Sequence, residues 1–162
     1  MYVHVRQFEK RENSEILYPT KIGISLTPSR FAVLCSMKGE IDEAVQQRHQ
    51  GQTTTLKAHL GGGVYCTLMG KYDLVNIRKY FVPEGKEEEI PTRYGIALKL
   101  NEWDKLSAAM DDIRQASEDL LTAQPCYMAT DHCNQLGFLQ CRECTPFPNK
   151  DVFPYFDMPN FF

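Results

Sequence analysis

An α+β fold, made of two tandem modules in which antiparallel strands are followed by a helix, is predicted by three features of the 162-residue chain. Residues 18–26 read YPTKIGISL, and 72 positions later residues 90–98 read IPTRYGIAL. Both copies lie in stretches of two-residue alternation, the period of a half-buried strand. Both are followed by runs whose apolar residues recur every 3.6 positions or so, the period of an amphipathic helix. Two such modules would bury their apolar faces against each other as an intramolecular pseudo-dimer.

The elements follow in order. In residues 2–8, Val3 and Val5 take one face of a strand and Tyr2, His4, Arg6 and Phe8 the other. After a polar loop, residues 21–26 direct Ile22, Ile24 and Leu26 inward and Lys21, Gly23 and Ser25 outward. Thr27 before Pro28 is a helix N-cap followed by proline at the first helical position. Phe31, Leu34, Cys35, Ile41 and Val45 then form the stripe of a helix over about 28–47. Residues 51–72, rich in Thr and β-formers and broken by Gly61, Gly62 and Gly63, predict a strand hairpin. Residues 74–80 repeat the first strand, with Val75 and Ile77 inward and Asn76, Arg78 and Tyr80 outward. An acidic loop leads to the second copy of the repeated segment. Asn101 can then cap a helix over 101–120 that carries Trp103, Leu106, Met110, Ile113 and Leu120. The expected organisation is a first repeat at 1–50 lacking its first strands, a complete second repeat at 53–122, and a Cys- and aromatic-rich tail at 123–162.

Sliding the chain by 72 superimposes residues 1–47 on 73–119 without a gap and yields twelve identities, among them Arg6/Arg78, Pro19/Pro91, Thr20/Thr92, Gly23/Gly95 and Ile41/Ile113. That is several times what composition gives, and the pattern is that of a tandem duplication.

Charge is segregated. Residues 1–27 hold four Lys/Arg against three Asp/Glu and residues 53–99 hold seven against five, so these strand-bearing segments carry +3 and the remainder carries −6 of the net −3. A surface sorted in this way can bind a polyanion on one side despite a negative total. The start lacks a signal-peptide core and no apolar run approaches a membrane span, so a soluble, intracellular protein without a membrane partner is expected. In a reducing compartment the six cysteines are thiols or metal ligands rather than disulfides. No nucleophile stands beside a recognisable base, and no phosphate loop or paired carboxylates occur, so no enzyme is expected.

The order I-R-K-Y-F, acidic loop, R-Y-G-I-A-L, then a helix with W-x-x-L and a later Ile resembles the single-stranded-DNA-binding domain of the positive cofactor four transcriptional coactivator family. V-R-Q-F with K-I-G-I-S-L-T-P resembles it a second time. The likeness covers about residues 1–47 and 56–120. It implies four antiparallel strands and a helix per complete module, dimerisation through the helices, unpaired DNA gripped on the sheets, and nuclear location. The tandem copies resemble that dimer fused into one chain, a monomer with an internal pseudo-dimer.

The residues fit this chemistry independently. An unpaired strand offers phosphates and free base faces, so its binder needs cations interleaved with aromatics on an open sheet. The candidate DNA-binding residues are His4, Arg6, Phe8, Lys21, Lys71, Arg78, Tyr80, Phe81 and Arg93, with Tyr65 nearby. His59, Cys35 and Cys66 are read as packing residues. In the tail, Cys141 and Cys144 form a C-x-x-C that, with Cys126 and either His132 or Cys133, could complete a tetrahedral Zn²⁺ site. The alternative is a tail that packs on the modules without metal. The closing DMPNFF is similar to the tips by which replication-type single-strand binders recruit partners. Transcription or replication proteins are therefore the expected partners. A competing class is a protein-interaction scaffold that kept the fold without the DNA grip, which Glu9 in place of the second copy's Phe81 favours.

Overall fold

The structure is a computed structural model that describes residues 1–132 and 134–147. Its elements are β1 (Val3–Lys10), β2 (Leu17–Leu26), α1 (Pro28–Ser36), α2 (Lys38–His49), β3 (Leu56–Gly61), β4 (Val64–Leu68), β5 (Leu74–Phe81), β6 (Ile90–Lys99), α3 (Leu100–Gln115), α4 (Glu118–Leu121) and α5 (Gln135–Gln140), with single 3₁₀ turns at Cys126–Met128 and Thr130–His132. The class is α+β: β1 and β2 form a two-stranded antiparallel sheet, and β3-β4-β5-β6 a four-stranded antiparallel meander. Among the described residues no helix is long and apolar enough to cross a membrane.

The alternating faces of both sheets and the stripes of α1, α2 and α3 close on one core. Leu26, Phe31, Leu34, Ile41 and Val45 of the first repeat and Leu60, Leu68, Ile77, Trp103 and Met110 of the second are almost wholly removed from water. At about 25 cal/mol per Å² of apolar surface, this shared burial is the main term holding the two sheets and their helices together.

Thr27 caps α1, its hydroxyl accepting from the Arg30 N–H at 3.3 Å, as expected. Three local expectations are corrected. The first helix is divided at Met37, where the Ser36 hydroxyl donates to the Val33 carbonyl at 2.7 Å and competes with the helical ladder. Asn101 lies inside α3; the cap position falls to Lys99, whose N–H donates to the Glu102 carboxylate at 2.8 Å. The second helix stops at Gln115, and Ser117 starts α4 by accepting from the Leu120 N–H.

The fourth correction matters most for function. Ile22 is 51% exposed rather than buried. In the β1–β2 pairing Arg6 opposes Gly23 and Phe8 opposes Pro19, so one residue between partners on β1 faces three on β2. In β5–β6 the same irregularity recurs, with Arg78 opposing Gly95 and Tyr80 opposing Pro91. A bulge of this kind lifts its extra residues off the ladder and breaks the alternation. It therefore turns Lys21 and Ile22 in one sheet, and Arg93 and Tyr94 in the other, out to solvent.

The helices meet through one carboxylate. Asp42 of α2 accepts from the Trp103 indole N–H at 2.8 Å and the Ser107 hydroxyl at 2.7 Å, both on α3, and from the Lys38 ammonium at 2.9 Å. Burial alone would raise this carboxyl; the Ser107, Lys38 and Trp103 donors outweigh it and hold it below its ordinary value of 3.8. Because the folded-state value is depressed, its contribution is present above that ordinary value and lost as pH falls through the folded one. Asp42→Ala strands the indole N–H and should cost about 2 to 3 kcal/mol in denaturant unfolding. Asp42→Asn should flatten the decline of stability below about pH 4.

Candidate functional site

Each bulge is built by the same few bonds. The Thr20 hydroxyl donates to the Gln7 carbonyl at 2.9 Å and accepts from the Ile22 N–H at 3.1 Å. The Thr92 hydroxyl donates to the Lys79 carbonyl at 2.8 Å and accepts from the Tyr94 N–H at 3.1 Å. One guanidinium nitrogen of Arg6 donates to the Thr20 carbonyl at 2.7 Å, and one of Arg78 to the Thr92 carbonyl at 2.9 Å. Both arginines thus brace the bulge, and each keeps further N–H groups, since a guanidinium carries five.

The bulges border a cleft of about 620 Å³ lined by Arg6, Lys21, Gly23, Ile24, Ser25, Arg30, Val64, Lys79 and Tyr94. Its walls come from both sheets and α1 and, among the described residues, present four cationic side chains and no carboxylate. Arg30 is already engaged in a two-pronged pair with Glu143, at 2.5 and 2.8 Å. Tyr94, 61% exposed, stands at the cleft with the Arg93 guanidinium 5.4 Å from its ring centre. The Arg93 hydrogen bond and positive charge lower the Tyr94 hydroxyl below its ordinary value.

A second cluster lies on the open face of the four-stranded sheet. His59 opposes Tyr65, and Tyr65 opposes Arg78. The His59 and Tyr65 rings are 4.8 Å apart, and Tyr65 meets Tyr80 edge to face at 5.1 Å. The Lys57 ammonium sits 4.8 Å from the Tyr65 ring and 5.3 Å from Tyr80, and pairs with Glu89.

The expected site residues are therefore dispersed in part. Arg6 and Lys21 share the cleft, Arg93 flanks it, and Arg78 and Tyr80 belong to the aromatic face. His4 is exposed and hydrogen-bonds the Ser25 hydroxyl at 2.8 Å. Phe8 and Phe81 are exposed near the loop ends of their hairpins. Lys71 lies in the turn before β5, at the opposite end of that strand from Tyr80, over Tyr72. Lys57, Lys79 and Tyr94 escaped sequence reasoning, and His59, read as packing, is part of the ring ladder. Lys79 shares the inward parity of Ile77 and is exposed at the bulge, where the pairing of β5 with β6 is interrupted; its 72-residue partner is Gln7, so the repeat gives no signal for it.

In the tail, Cys126, His132, Cys141 and Cys144 come together, with one ligand atom from each within 4.8 Å of every other. This set could hold a metal. Cys133 and the DMPNFF terminus lie outside the described residues. Burial pushes the Cys141 thiol up, but the Cys144 backbone N–H, His132 and further donors outweigh it and bring the thiol to about 7.

Sheets with cations and rings on open surfaces, backed by amphipathic helices, have the chemistry of a polyanion-binding module. Residues 69–109, from the turn before β5 into α3, match the family described as Transcriptional Coactivator p15 (PC4). The match covers about a quarter of the chain and is a likeness of that segment to the family. No curated protein and no solved structure matches the chain.

The glycines of the bulges are required by space. A Cβ on Gly95 would lie 2.6 Å from the Ile77 carbonyl oxygen and 2.7 Å from the Arg78 Cα, and one on Gly23 would lie 2.8 Å from the Val5 oxygen. Gly95→Ala should cost about 1 to 3 kcal/mol by forcing β5 and β6 apart. Gly39→Ala, on α2 where an added methyl meets nothing, should instead stabilise by about 0.5 to 1 kcal/mol. Paired urea titrations would read both.

Proposed function

We propose that the chain is a non-enzymatic, single-stranded-DNA-binding protein of coactivator type that acts in the nucleus, alone or with transcription or replication proteins, as an internal pseudo-dimer. The observation that carries the DNA reading is the cleft between the repeats, whose lining offers Arg6, Lys21 and Lys79 to phosphates without an opposing carboxylate. Tyr94 beside it, and the Tyr65–Tyr80 pair on the open face, supply rings for unstacked bases.

The pseudo-dimer is supported by reciprocity. In a twofold contact, residue i meets j and the equivalent of j meets the equivalent of i. Asp42 meets Ser107, and 72 residues away in each direction Arg114 stands near Cys35, whose thiol is raised by burial and lowered by that Arg114 charge. A further homodimer through these helices is then unnecessary.

Fluorescence anisotropy with a labelled oligothymidylate at two salt concentrations tests the reading. Lys21→Ala with Lys79→Ala should weaken binding and flatten the log–log salt slope by about 1.4, since each phosphate neutralised on a single strand contributes about 0.7. Tyr94→Ala should weaken binding by about 1 to 3 kcal/mol with little change in slope, because stacking releases no counterions. The duplex should bind less well. Indifference of the wild-type protein to the oligonucleotide at low salt would reject the DNA reading. That outcome would leave the interaction scaffold, which the exposed Phe8, Ile16, Leu17 and Ile22 of the β1–β2 hairpin favour.

A further inference from the structure

We propose that Cys126, His132, Cys141 and Cys144 bind one structural Zn²⁺ ion, which clasps the C-terminal segment onto the turn between β3 and β4. The distances carry this. Four ligands placed tetrahedrally around zinc, with Zn–S near 2.3 Å and Zn–N near 2.0 Å, have sulfurs about 3.8 Å apart and sulfur and nitrogen about 3.6 Å apart. The Cys126 and Cys141 sulfurs are 3.7 Å apart, and the Cys144 sulfur is 3.8 Å from His132 Nε2. A disulfide would instead need about 2.05 Å between sulfurs.

The donor set narrows the metal. Three thiolates with one imidazole are soft ligands that suit zinc, whereas Mg²⁺ and Ca²⁺ require oxygen donors. Four protein ligands complete the tetrahedron and leave no position for substrate, so the ion is structural. The His132 ring has one nitrogen toward the sulfurs, and its Nδ1 is buried with no hydrogen-bond partner among the described residues. Nε2 is therefore the ring nitrogen that the geometry offers to the ion.

The cluster also sits where a clasp has something to hold. Glu143, between Cys141 and Cys144, accepts from the Gly62 N–H at 2.7 Å through its carbonyl and grips Arg30 of α1 through its carboxylate. Gly61 and Gly62 have φ of 127° and 58°, and a Cβ on either would strike the Glu143 or Arg30 side chain. The turn has the shape that this seat requires. A segment with so little buried surface of its own gains its order from the metal, as small zinc modules do.

The test uses the full chain purified under reducing conditions. Native mass spectrometry and release of metal to a chromogenic chelator should both report one Zn²⁺ per chain. Cys141→Ser with Cys144→Ser, and separately His132→Ala, should abolish it, while Cys35→Ser and Cys133→Ser should retain it. Should a ligand variant fail to fold, Co²⁺ substitution of the wild-type protein decides, because a tetrahedral thiolate site gives intense visible bands that an octahedral or oxygen site does not. A metal-free wild-type chain, a mass two hydrogens lower that signals a disulfide, or zinc kept by the Cys141/Cys144 double variant would each overturn the site. Loss of zinc in Cys133→Ser with retention in His132→Ala would overturn the assignment of His132.

Discussion

The close passage of Gly23 and Gly95 against the neighbouring strand is the constraint from which the candidate interface follows. With no Cβ at these positions, β2 and β6 come within contact of the backbone at Arg6 and Arg78 and then bulge outward over three residues. The threonine that opens each bulge uses its hydroxyl on both strands, and the arginine caps the freed carbonyl. This network turns the basic residue that follows the threonine toward solvent. The repeated segment P-T-[K/R]-x-G-I is therefore a local device for displaying a cation and its neighbour beside a tightly paired strand. Its two occurrences place such a display on both sheets.

Similar as the bulges are, the two sides of the helical seam differ. Phe31 and Trp103 are both buried, yet Trp103 brings an indole N–H that needs an acceptor inside the fold. Asp42 meets that need from the opposite helix; the position equivalent to Asp42 is Arg114, beside Cys35, where Phe31 makes no such demand. The two sides of the seam are thus chemically distinct. Apolar burial gives the seam its strength, and the carboxylate gives it register.

The strands, their partners and the core stripes were legible because period 2 and period 3.6 are written directly in the order of apolar residues. Val75, Ile77, Leu26, Leu34, Ile41 and Trp103 are all buried where alternation or helical spacing puts them. The bulge was not legible in that language. Alternation carried through Thr20–Lys21–Ile22 places Ile22 inside, and only the pairing of Arg6 with Gly23 and Phe8 with Pro19 reveals the two extra residues. The cleft was legible in half. Arg6 and Lys21 follow from outward parity, whereas Lys79 and Tyr94 join them through the packing of one repeat on the other, which no single strand encodes. In the tail, C-x-x-C named Cys141 and Cys144, but spacing left His132 and Cys133 equivalent as the fourth ligand, because adjacent residues differ in direction, which composition does not record.

Arg30 connects the two candidate sites. It lines the cleft, and its guanidinium nevertheless belongs to Glu143 in a paired geometry with both side chains about three-quarters covered. A bidentate pair screened from water is stronger than a surface ion pair, and removing one partner would leave the other charge partly buried and uncompensated. The pair therefore offsets one positive charge of the cleft. Of the four cations that line the cleft, Arg30 is the one paired with a carboxylate among the described residues. The same contact that fixes the tail on the glycine turn thus sets the charge of the cleft, so the electrostatics of the cleft depend on residues more than a hundred positions away in the chain.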